Sequence, residues 1–315
     1  MIKRPLISIV IPFFNEEGAV FGFHEAITQA LANLTEFDFE FICINDGSSD
    51  NTVGELLECV AKDPRYIVLE LSRNFGKEAA MSAGIDKANG DCVIPIDADL
   101  QDPPTLIAQM LGEWQRGAEV VLAKRIDRST DSYAKRTSAL LFYRFHNALS
   151  GLKIPENVGD FRLMDRVVVD ALKQLPERQR FMKGLFAWLG FRTVTVEYVR
   201  EPRTSGATKF SGWKLWNFAI EGITSFSLVP LKVWTYIGAV GSIFALCYAL
   251  FMIIRTWLFG NDVPGYASLL VVMLFIGSLQ LMSLGVIGEY IGRIYFETKQ
   301  RPLYLIRKSY SSKQP

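Results

Sequence analysis

Two carboxylates stand one residue apart at the end of an apolar run in the stretch IPIDADLQDPP, residues 94–104. They belong to Asp97 and Asp99, which point to the same side of an extended chain because alternate side chains share a face. Like charges so placed repel each other unless a cation lies between them or one is protonated. Mg²⁺ and similar hard cations take oxygen ligands, commonly one or two carboxylates together with substrate phosphates. The pair therefore predicts a Mg²⁺ or Mn²⁺ site that holds a diphosphate.

A short DxD pattern is common in sequences, so a solvated turn is the alternative interpretation of this pair. The third acid of the stretch, Asp102, has a structural explanation. We expect Asp102 to be the N-cap of a helix, with Pro103 in the first helical position. The choice between a metal site and a turn therefore depends on which other residues gather near Asp97 and Asp99.

Short apolar runs alternate with amphipathic segments along the first 125 residues. Continuous Val, Ile and Leu runs separated by helices predict a mostly parallel sheet that is covered on both faces. Ligands bind such sheets beyond the carboxyl ends of the strands, and polar residues of this sequence cluster at those ends. The predicted strands are 6–14, 39–46, 66–73, 92–97, 118–125, 161–165 and 191–199, and the predicted helices lie near 16–34, 50–62, 76–88, 103–116, 131–149, 166–174 and 180–189.

Acidic residues stand at two further predicted strand ends. Asp46, in INDGSSDNT, is suited to accept hydrogen bonds from a base N–H or a ribose hydroxyl, and Asp50 is expected to cap the next helix. Glu16, in IPFFNEE, marks the end of the first strand. The sequence has no GxGxxG and no GxxxxGKS/T motif, which argues against a dinucleotide fold or a P-loop. Three acidic strand ends in one crevice favour a metal–nucleotide site.

The composition limits the partners of the protein. Half of the 315 residues are hydrophobic and the net charge is only +1, so nucleic acid is not an expected partner. The four cysteines have no CxxC spacing, and we interpret them as reduced packing residues rather than a disulfide framework or a zinc site. With only two histidines, the chain has no His-based metal cluster.

Two long uncharged runs, 233–254 and 263–288, are each long enough to cross a bilayer as a helix. The alternative, two buried helices of a soluble core, is weak because such helices seldom run so far without a charge. The run 213–229 has a polar stripe at helical spacing, which suits an interfacial helix, although an ordinary packing helix has the same pattern. Basic residues flank the two runs on the side away from their joining loop, which predicts a cytosolic catalytic domain and cytosolic termini.

The predicted organisation has four parts. Residues 1–210 form a cytosolic catalytic domain, residues 211–230 form the amphipathic helix, and residues 231–292 contain two spans at about 233–256 and 266–290. Residues 293–315 form a cytosolic tail.

The motifs SIVIPFFNEE, INDGSSDNT, LSRNFGKEAAMSAGIDKANGD, DADLQDPP and VGDFRLMDR, followed by two spans, carry a resemblance over essentially the whole chain. The chain resembles the inverting GT-A glycosyltransferases of family 2. Within them it is similar to the bacterial polyprenyl-phosphate (bactoprenol) glucosyltransferases, which are relatives of dolichol-phosphate mannose synthase. Each motif is modest alone, but their order and spacing together are specific. The implied fold is an α/β, Rossmann-like GT-A domain with a mostly parallel sheet.

The resemblance implies a role for each matching residue. For the donor, Pro12, Phe14, Glu16 and Asp46 would line the nucleotide pocket, and Asp97 would face the ribose or the metal. Asp99 would be the principal metal ligand, and Gln101 would assist the metal. Asp160, in VGDFRLMDR, matches the acid proposed as base in this family; its simpler interpretation is a structural turn acid beside Gly159. Arg203 and Lys209 match a loop that meets donor and acceptor phosphates, unless they belong to an ordinary charged loop, and Arg125 and Arg136 are further candidates for the acceptor phosphate.

The implied reaction is transfer of one hexose, glucose from UDP-glucose, to undecaprenyl phosphate in the bacterial inner membrane. A lipid monophosphate with a second pKa of about 6 is largely ionised at neutral pH, so it hardly needs a base. The reaction needs control of charge instead, from a metal on the leaving diphosphate and cationic side chains on the acceptor.

The resemblance also implies a flippase and a second glycosyltransferase acting downstream, and a homotetramer whose spans approach each other at their glycines.

Several alternatives stay open at this point. GDP-mannose, UDP-galactose, a UDP-N-acetylhexosamine or an aminoarabinose donor would fit the same motifs. A processive polysaccharide synthase is disfavoured because the sequence has no QxxRW motif and too few spans. A non-catalytic nucleotide-sugar-binding membrane protein is disfavoured because Asp97, Asp99, Asp160 and Arg203 are all present.

Overall fold

The computed structural model describes residues 4–126, 155, 158–178, 180, 182–199, 229–259 and 265–312. Within these residues the chain forms eight strands and eight helices that follow the predicted alternation. The strands are β1 (Leu6–Phe13), β2 (Asp38–Asn45), β3 (Tyr66–Leu71), β4 (Cys92–Pro95), β5 (Val120–Arg125), β6 (Val158–Asp165), β7 (Thr193–Tyr198) and β8 (Ile306–Ser311). The helices are α1 (Val20–Leu31), α2 (Thr52–Lys62), α3 (Lys77–Lys87), α4 (Leu106–Gln115), α5 (Arg166–Lys173), α6 (Met182–Leu189), α7 (Val229–Phe259) and α8 (Tyr266–Thr298).

The strands form one sheet in the order β7-β5-β6-β4-β1-β2-β3-β8. Strands β1 to β4 pair in parallel, and so do β5 and β7, as the apolar runs predicted. Strand β6 runs antiparallel to its neighbours β4 and β5. Because of this reversal, the first residues of β6 lie beside the carboxyl end of β4, which is the edge of the sheet that carries the polar loops.

Alternation along the central strands separates the core into two clusters, one on each face of the sheet. On β1, Ile9 and Ile11 belong to the cluster that includes residues of α1, α2 and α4, whereas Val10 belongs to the cluster that includes residues of α3, α5 and α6. All three side chains are fully buried. Apolar residues are therefore needed at consecutive positions, which explains the uninterrupted runs in the sequence.

The prediction that Asp102 is an N-cap is wrong. Helix α4 begins at Leu106 after the N-cap residue Thr105, because a turn comes first in which the Leu106 N–H donates to the carbonyl of Pro103. Asp102 is buried, and its carboxylate accepts a hydrogen bond from the hydroxyl of Tyr198 at the end of β7. This contact across 96 residues makes Asp102 a tertiary link between two elements.

Helices α7 and α8 are each long and apolar enough to cross a membrane, and their apolar side chains are exposed. These helices fit a membrane-associated protein. Helix α7 extends beyond its predicted span at both ends, and α8 begins where its span was predicted to begin but continues past the predicted end. The predicted basic helix at 131–149 and most of the predicted amphipathic helix at 211–230 lie outside the described residues.

After α8 the chain returns to the sheet. Strand β8 pairs antiparallel with β3, and the Ser72 N–H donates to the carbonyl of Leu305. Near the end of α8, both carboxylate oxygens of Glu297 accept from the backbone N–H of Arg178, at 2.9 and 3.0 Å. The segment that the sequence analysis treated as a tail thus contributes the outer strand of the sheet.

Candidate active site

A cleft of about 340 Å³ opens beyond the carboxyl ends of β1, β2 and β4. It brings together six of the residues selected from the sequence, with the start of α3 between them. Its lining consists of Pro12, Phe13, Phe14, Glu16, Asp46, Asn74, Gly76, Lys77, Ala80, Asp97, Ala98 and Asp99. A switch-point crevice of this kind is where open α/β sheets bind their ligands.

The loop after β1 is held against the loop after β2 by hydrogen bonds to its backbone. Asn15 has a left-handed φ of 53°; its N–H donates to the hydroxyl of Ser48, and its side-chain oxygen accepts from the Ser49 N–H. The Glu16 N–H donates to the hydroxyl of Thr52 at 3.0 Å. Asp50 accepts from the Thr52 N–H at 3.1 Å, but the N-cap residue of α2 is Asn51, so the prediction that Asp50 caps this helix is wrong by one residue. These contacts fix the backbone that carries Phe14 and Glu16.

Asp46 holds the loop that leads into α3. Its two carboxylate oxygens accept from the N–H groups of Phe75 and Gly76, at 2.7 and 2.9 Å, and the residue is 3 % exposed. Burial raises the pKa of Asp46, and the two backbone hydrogen bonds offset part of that rise. Gly47 has a φ of 67°, and a Cβ there would lie 2.5 Å from the carbonyl carbon of Arg73. The two loops therefore pack closely because residue 47 has no side chain.

Lys77, the first residue of α3, links Asp97 and Asp160. Its Nζ lies 2.7 Å from Oδ1 of Asp97 and 2.7 Å from Oδ2 of Asp160. Burial alone would raise the pKa of Asp160, but the positive charges of Lys77, Lys183 and Arg162 outweigh that effect and hold it well below its ordinary value. The pKa of Lys77 is correspondingly raised by Asp160 and Asp97, against the effect of burial. Asp160 is thus ionised and a weak proton acceptor.

The oxygen atoms at the end of β4 fit a hard divalent cation. Asp97 and Asp99 both line the cleft, and the Gln101 N–H donates to Oδ1 of Asp99 at 3.2 Å. The side-chain oxygen of Gln101 is buried without a hydrogen-bond partner, which is the state expected of an atom that awaits a ligand. In the part of the chain that the structure describes, no group of three or more His, Cys, Asp and Glu side chains is arranged around a metal position. Asp97 and Asp99 are suitable ligands for a cation that also binds substrate phosphates, whereas Gln101 does not line the cleft.

A buried polar group lies behind Asp160. The Arg162 guanidinium donates to the carbonyls of Gly159 and Asp160, at 2.7 and 3.3 Å, and stacks over the ring of Phe186. Burial lowers the pKa of Arg162 to about 10, against the opposing effect of Asp160 and Glu78. Burial and the Asp160 charge raise the pKa of Glu78 to about 8, and one of its oxygens has no hydrogen-bond partner. This group fixes the backbone from which the Asp160 side chain projects.

The remaining predicted residues lie elsewhere. Arg125 ends β5, where it pairs in register with Tyr198 of β7, and it does not line the described part of the cleft. Arg136, Arg203 and Lys209 lie outside the described residues. The sequence analysis assigned no role to Lys77, although it quoted the motif LSRNFGKEAA that contains it. The available signal was charge balance, because the acids gathered at one strand edge need a cation in their neighbourhood.

The fold and the cleft together define a class: an α/β protein with a GT-A-like, mostly parallel sheet, an acidic strand-end cleft and two apolar helices that follow. The protein-family model described as "Glycosyl transferase family 2" matches residues 8–173, and the model described as "GtrB C-terminal hairpin" matches residues 229–294. The chain belongs to glycosyl transferase family 2, and it is a glycosyltransferase.

Relatives match the chain over almost its full length. An uncharacterized glycosyltransferase of Synechocystis is 54 % identical over 300 residues, which is 95 % of this chain and 94 % of the relative. A prophage-derived bactoprenol glucosyl transferase of Shigella flexneri is 54 % identical over 304 residues, 96 % of this chain and 98 % of the relative. A prophage bactoprenol glucosyl transferase homolog of Escherichia coli is 53 % identical over 302 residues, with the same two shares. The similarity thus covers both the catalytic domain and the helical hairpin.

Proposed function

We propose that this protein transfers one glucose residue, with inversion, from UDP-glucose to the phosphate of undecaprenyl phosphate. The observation that carries the proposal is the 54 % identity, across 96 % of the chain, to a protein named a bactoprenol glucosyl transferase. The cleft supports it, because the acidic strand ends that line it suit a metal-bound nucleotide diphosphate.

In the proposed reaction, an oxygen of the lipid phosphate attacks the anomeric carbon from the face opposite the nucleotide. The bond from that carbon to the diphosphate oxygen breaks, and UDP leaves. A divalent cation, Mg²⁺ or Mn²⁺, held by Asp97, Asp99 and Gln101 would stabilise the charge of the leaving diphosphate. Pro12, Phe14, Glu16 and Asp46 would shape the nucleotide pocket, and Arg203 would meet the donor phosphates.

Asp160 would act by its charge and position more than as a base. The lipid phosphate, with a second pKa of about 6, is already ionised at neutral pH. Asp160 itself has a pKa well below its usual range, so it would accept a proton only weakly. We therefore assign Asp160 to orientation of the reacting groups across the cleft, and Arg125, Arg136 and Lys209 to the acceptor phosphate.

The helical hairpin gives the reaction its location. A polyprenyl chain stays in the bilayer, so its phosphate is available only at the headgroup plane. Helices α7 and α8 would anchor the catalytic domain there, on the cytosolic side of a bacterial inner membrane, with both termini in the cytosol. Glycines along the two helices would permit a homotetramer. A flippase and a second glycosyltransferase would use the lipid-linked sugar.

A donor screen tests the proposal. The full-length protein in detergent, with Mn²⁺ and undecaprenyl phosphate, is given UDP-glucose, UDP-galactose, UDP-N-acetylglucosamine, UDP-aminoarabinose or GDP-mannose in separate reactions. We expect release of nucleoside diphosphate from UDP-glucose above all others, and only when the lipid is present. Faster release of nucleoside diphosphate from another nucleotide sugar would identify that compound as the donor instead of UDP-glucose. No release from any of them would favour a nucleotide-sugar-binding protein without activity.

A further inference from the structure

Lys77 occupies a position between two acidic residues that come from different strands. Its ammonium reaches both oxygens of Asp97, at 2.7 and 2.8 Å, and one oxygen of Asp160, at 2.7 Å. The other oxygen of Asp160 is buried and has no hydrogen-bond partner. One side-chain cation thus neutralises an acid at the end of β4 and an acid near the start of β6.

The fold determines where this ammonium lies. Gly76 precedes α3 with a φ of 97°, and its N–H is held by Asp46. Further along α3, a Cβ on Gly84 would lie 2.3 Å from a methyl carbon of Val10, so the helix approaches β1 as closely as a glycine allows. The helix start is therefore fixed at both the loop and the sheet, and Lys77 reaches the cleft from a rigid base.

We propose that Lys77 is a positioning residue of the transferase: it ties Asp160 to Asp97 and must give up Asp97 when a divalent cation binds there. This inference rests on the proposed function, because it takes Asp97 as a metal ligand and Asp160 as an orienting residue. An ammonium group has three donors and a single compact charge, so it holds two carboxylates at once and exchanges partners by small rotations.

Two consequences of opposite sign follow for a variant without this ammonium. Asp97 and Asp160 would keep their negative charges without a shared cation, so the cleft would attract a divalent cation more strongly. Asp160 would lose the hydrogen bond from Lys77 that fixes its Oδ2 atom, so turnover would fall. A lysine that only binds the donor diphosphate would behave differently, because its loss would weaken donor binding and leave the affinity for the metal alone nearly unchanged.

The experiment compares Lys77→Met and Lys77→Arg with Lys87→Met, an exposed lysine in the last turn of the same helix. Binding of Mn²⁺ alone to each full-length protein in detergent is measured by electron paramagnetic resonance, and kcat and KM for UDP-glucose are measured separately. For K77M we expect Mn²⁺ to bind roughly tenfold more tightly and kcat to fall roughly tenfold, as in Asp160→Asn. In K77R the Mn²⁺ affinity should return to the wild-type value, and part of kcat should be recovered. K87M should match the wild type in both quantities.

A double-mutant cycle tests the same coupling through turnover, and Lys77→Gln replaces K77M in both measurements if K77M is poorly folded. In the K77R background and in the wild type, Asp160→Asn should lower kcat; in the K77M background it should add little, because Asp160 is already released. Unchanged or weaker Mn²⁺ binding in K77M would overturn the proposal, as would additive effects of K77M and D160N on kcat. The Mn²⁺ measurement needs no sugar donor or lipid, so it decides the role of Lys77 even if the wild-type protein fails in the glucosyl transfer assay.

Discussion

The two sides of the cleft use their acids in different ways. On the β2 side, Asp46 is buried, and both of its carboxylate oxygens accept hydrogen bonds from backbone N–H groups of the loop before α3. On the β4 side, Asp97 and Asp160 share a side-chain ammonium, and Asp97 and Asp99 face the open cleft. Backbone contacts are permanent parts of the fold, whereas a lysine can move away. We infer that the β2 side shapes the cleft and that the β4 side carries its chemistry.

The largest expected effect lies on the β4 side. Asp99→Asn should lower kcat by roughly 100- to 1,000-fold, because it removes a charged ligand of the metal that stabilises the leaving diphosphate. Asp160→Asn should lower kcat less, by roughly tenfold, since the acceptor phosphate is already ionised. Steady-state kinetics with saturating UDP-glucose measure both. Comparable losses in the two variants would contradict the ranking.

On the β2 side, Asp46→Ala should act first on stability. It leaves two buried N–H groups without their charged acceptor, which corresponds to a loss of about 3 kcal/mol in the free energy of unfolding. The midpoint of thermal unfolding in detergent should fall, and KM for the donor should rise as the loop 74–76 loosens. A normal unfolding midpoint with abolished nucleotide binding would instead show that Asp46 contacts the nucleotide directly.

A second effect on stability on the same side comes from the close approach of the two loops. Gly47→Ala combines a left-handed φ with a Cβ only 2.5 Å from backbone atoms of residues 73 and 74, so we expect a loss of stability of about 2–4 kcal/mol. Gly18→Ala is the matched control, because Gly18 has a φ of 81° but open space around its Cβ position. It should cost about 1 kcal/mol. Equal shifts of the unfolding midpoint in the two variants would show that loop packing contributes nothing.

A further effect is a pH dependence behind the β4 side. Burial raises the pKa of Glu78 from 4.5 to about 8 in the folded protein. Between these two values the unfolded chain has lost its proton while the folded chain keeps it, so this group destabilises the fold progressively as the pH rises from about 4.5 to 8. Glu78→Gln should therefore resemble the wild type in unfolding midpoint near pH 5 and exceed it near pH 8. A difference between the two proteins that is independent of pH would exclude this role of burial.

The sequence was sufficient for the architecture of the central sheet and for the location of the cleft. Runs such as LISIVIPF and DFEFICIN are buried on both faces, and this property is visible in the residue types alone. Asp46, Asp97 and Asp99 follow such runs directly, so their meeting at one edge of the sheet was predictable from the parallel topology.

The features that the sequence did not reveal depend on contacts between distant segments. Strand β8, IRKSYS, is exposed and charged, and only its pairing with β3, more than 200 residues earlier, makes it a strand. The bridge from Lys77 to Asp160 requires the antiparallel direction of β6, which periodicity cannot give. The misassigned Asp102 has the same origin, because its partner Tyr198 lies 96 residues later, on the edge strand β7.

The central claim is that the cleft transfers one glucose to a lipid phosphate with inversion. The most direct measurement is the structure of the lipid product formed from UDP-α-glucose labelled with ¹³C, Mn²⁺ and undecaprenyl phosphate, analysed by mass spectrometry and by the anomeric carbon–proton coupling. We expect a single hexose in β linkage to the phosphate, and far less product with Asp99→Asn in the same reaction time. An α-linked product, a chain of several sugars, or release of UDP without any glycosylated lipid would contradict the account.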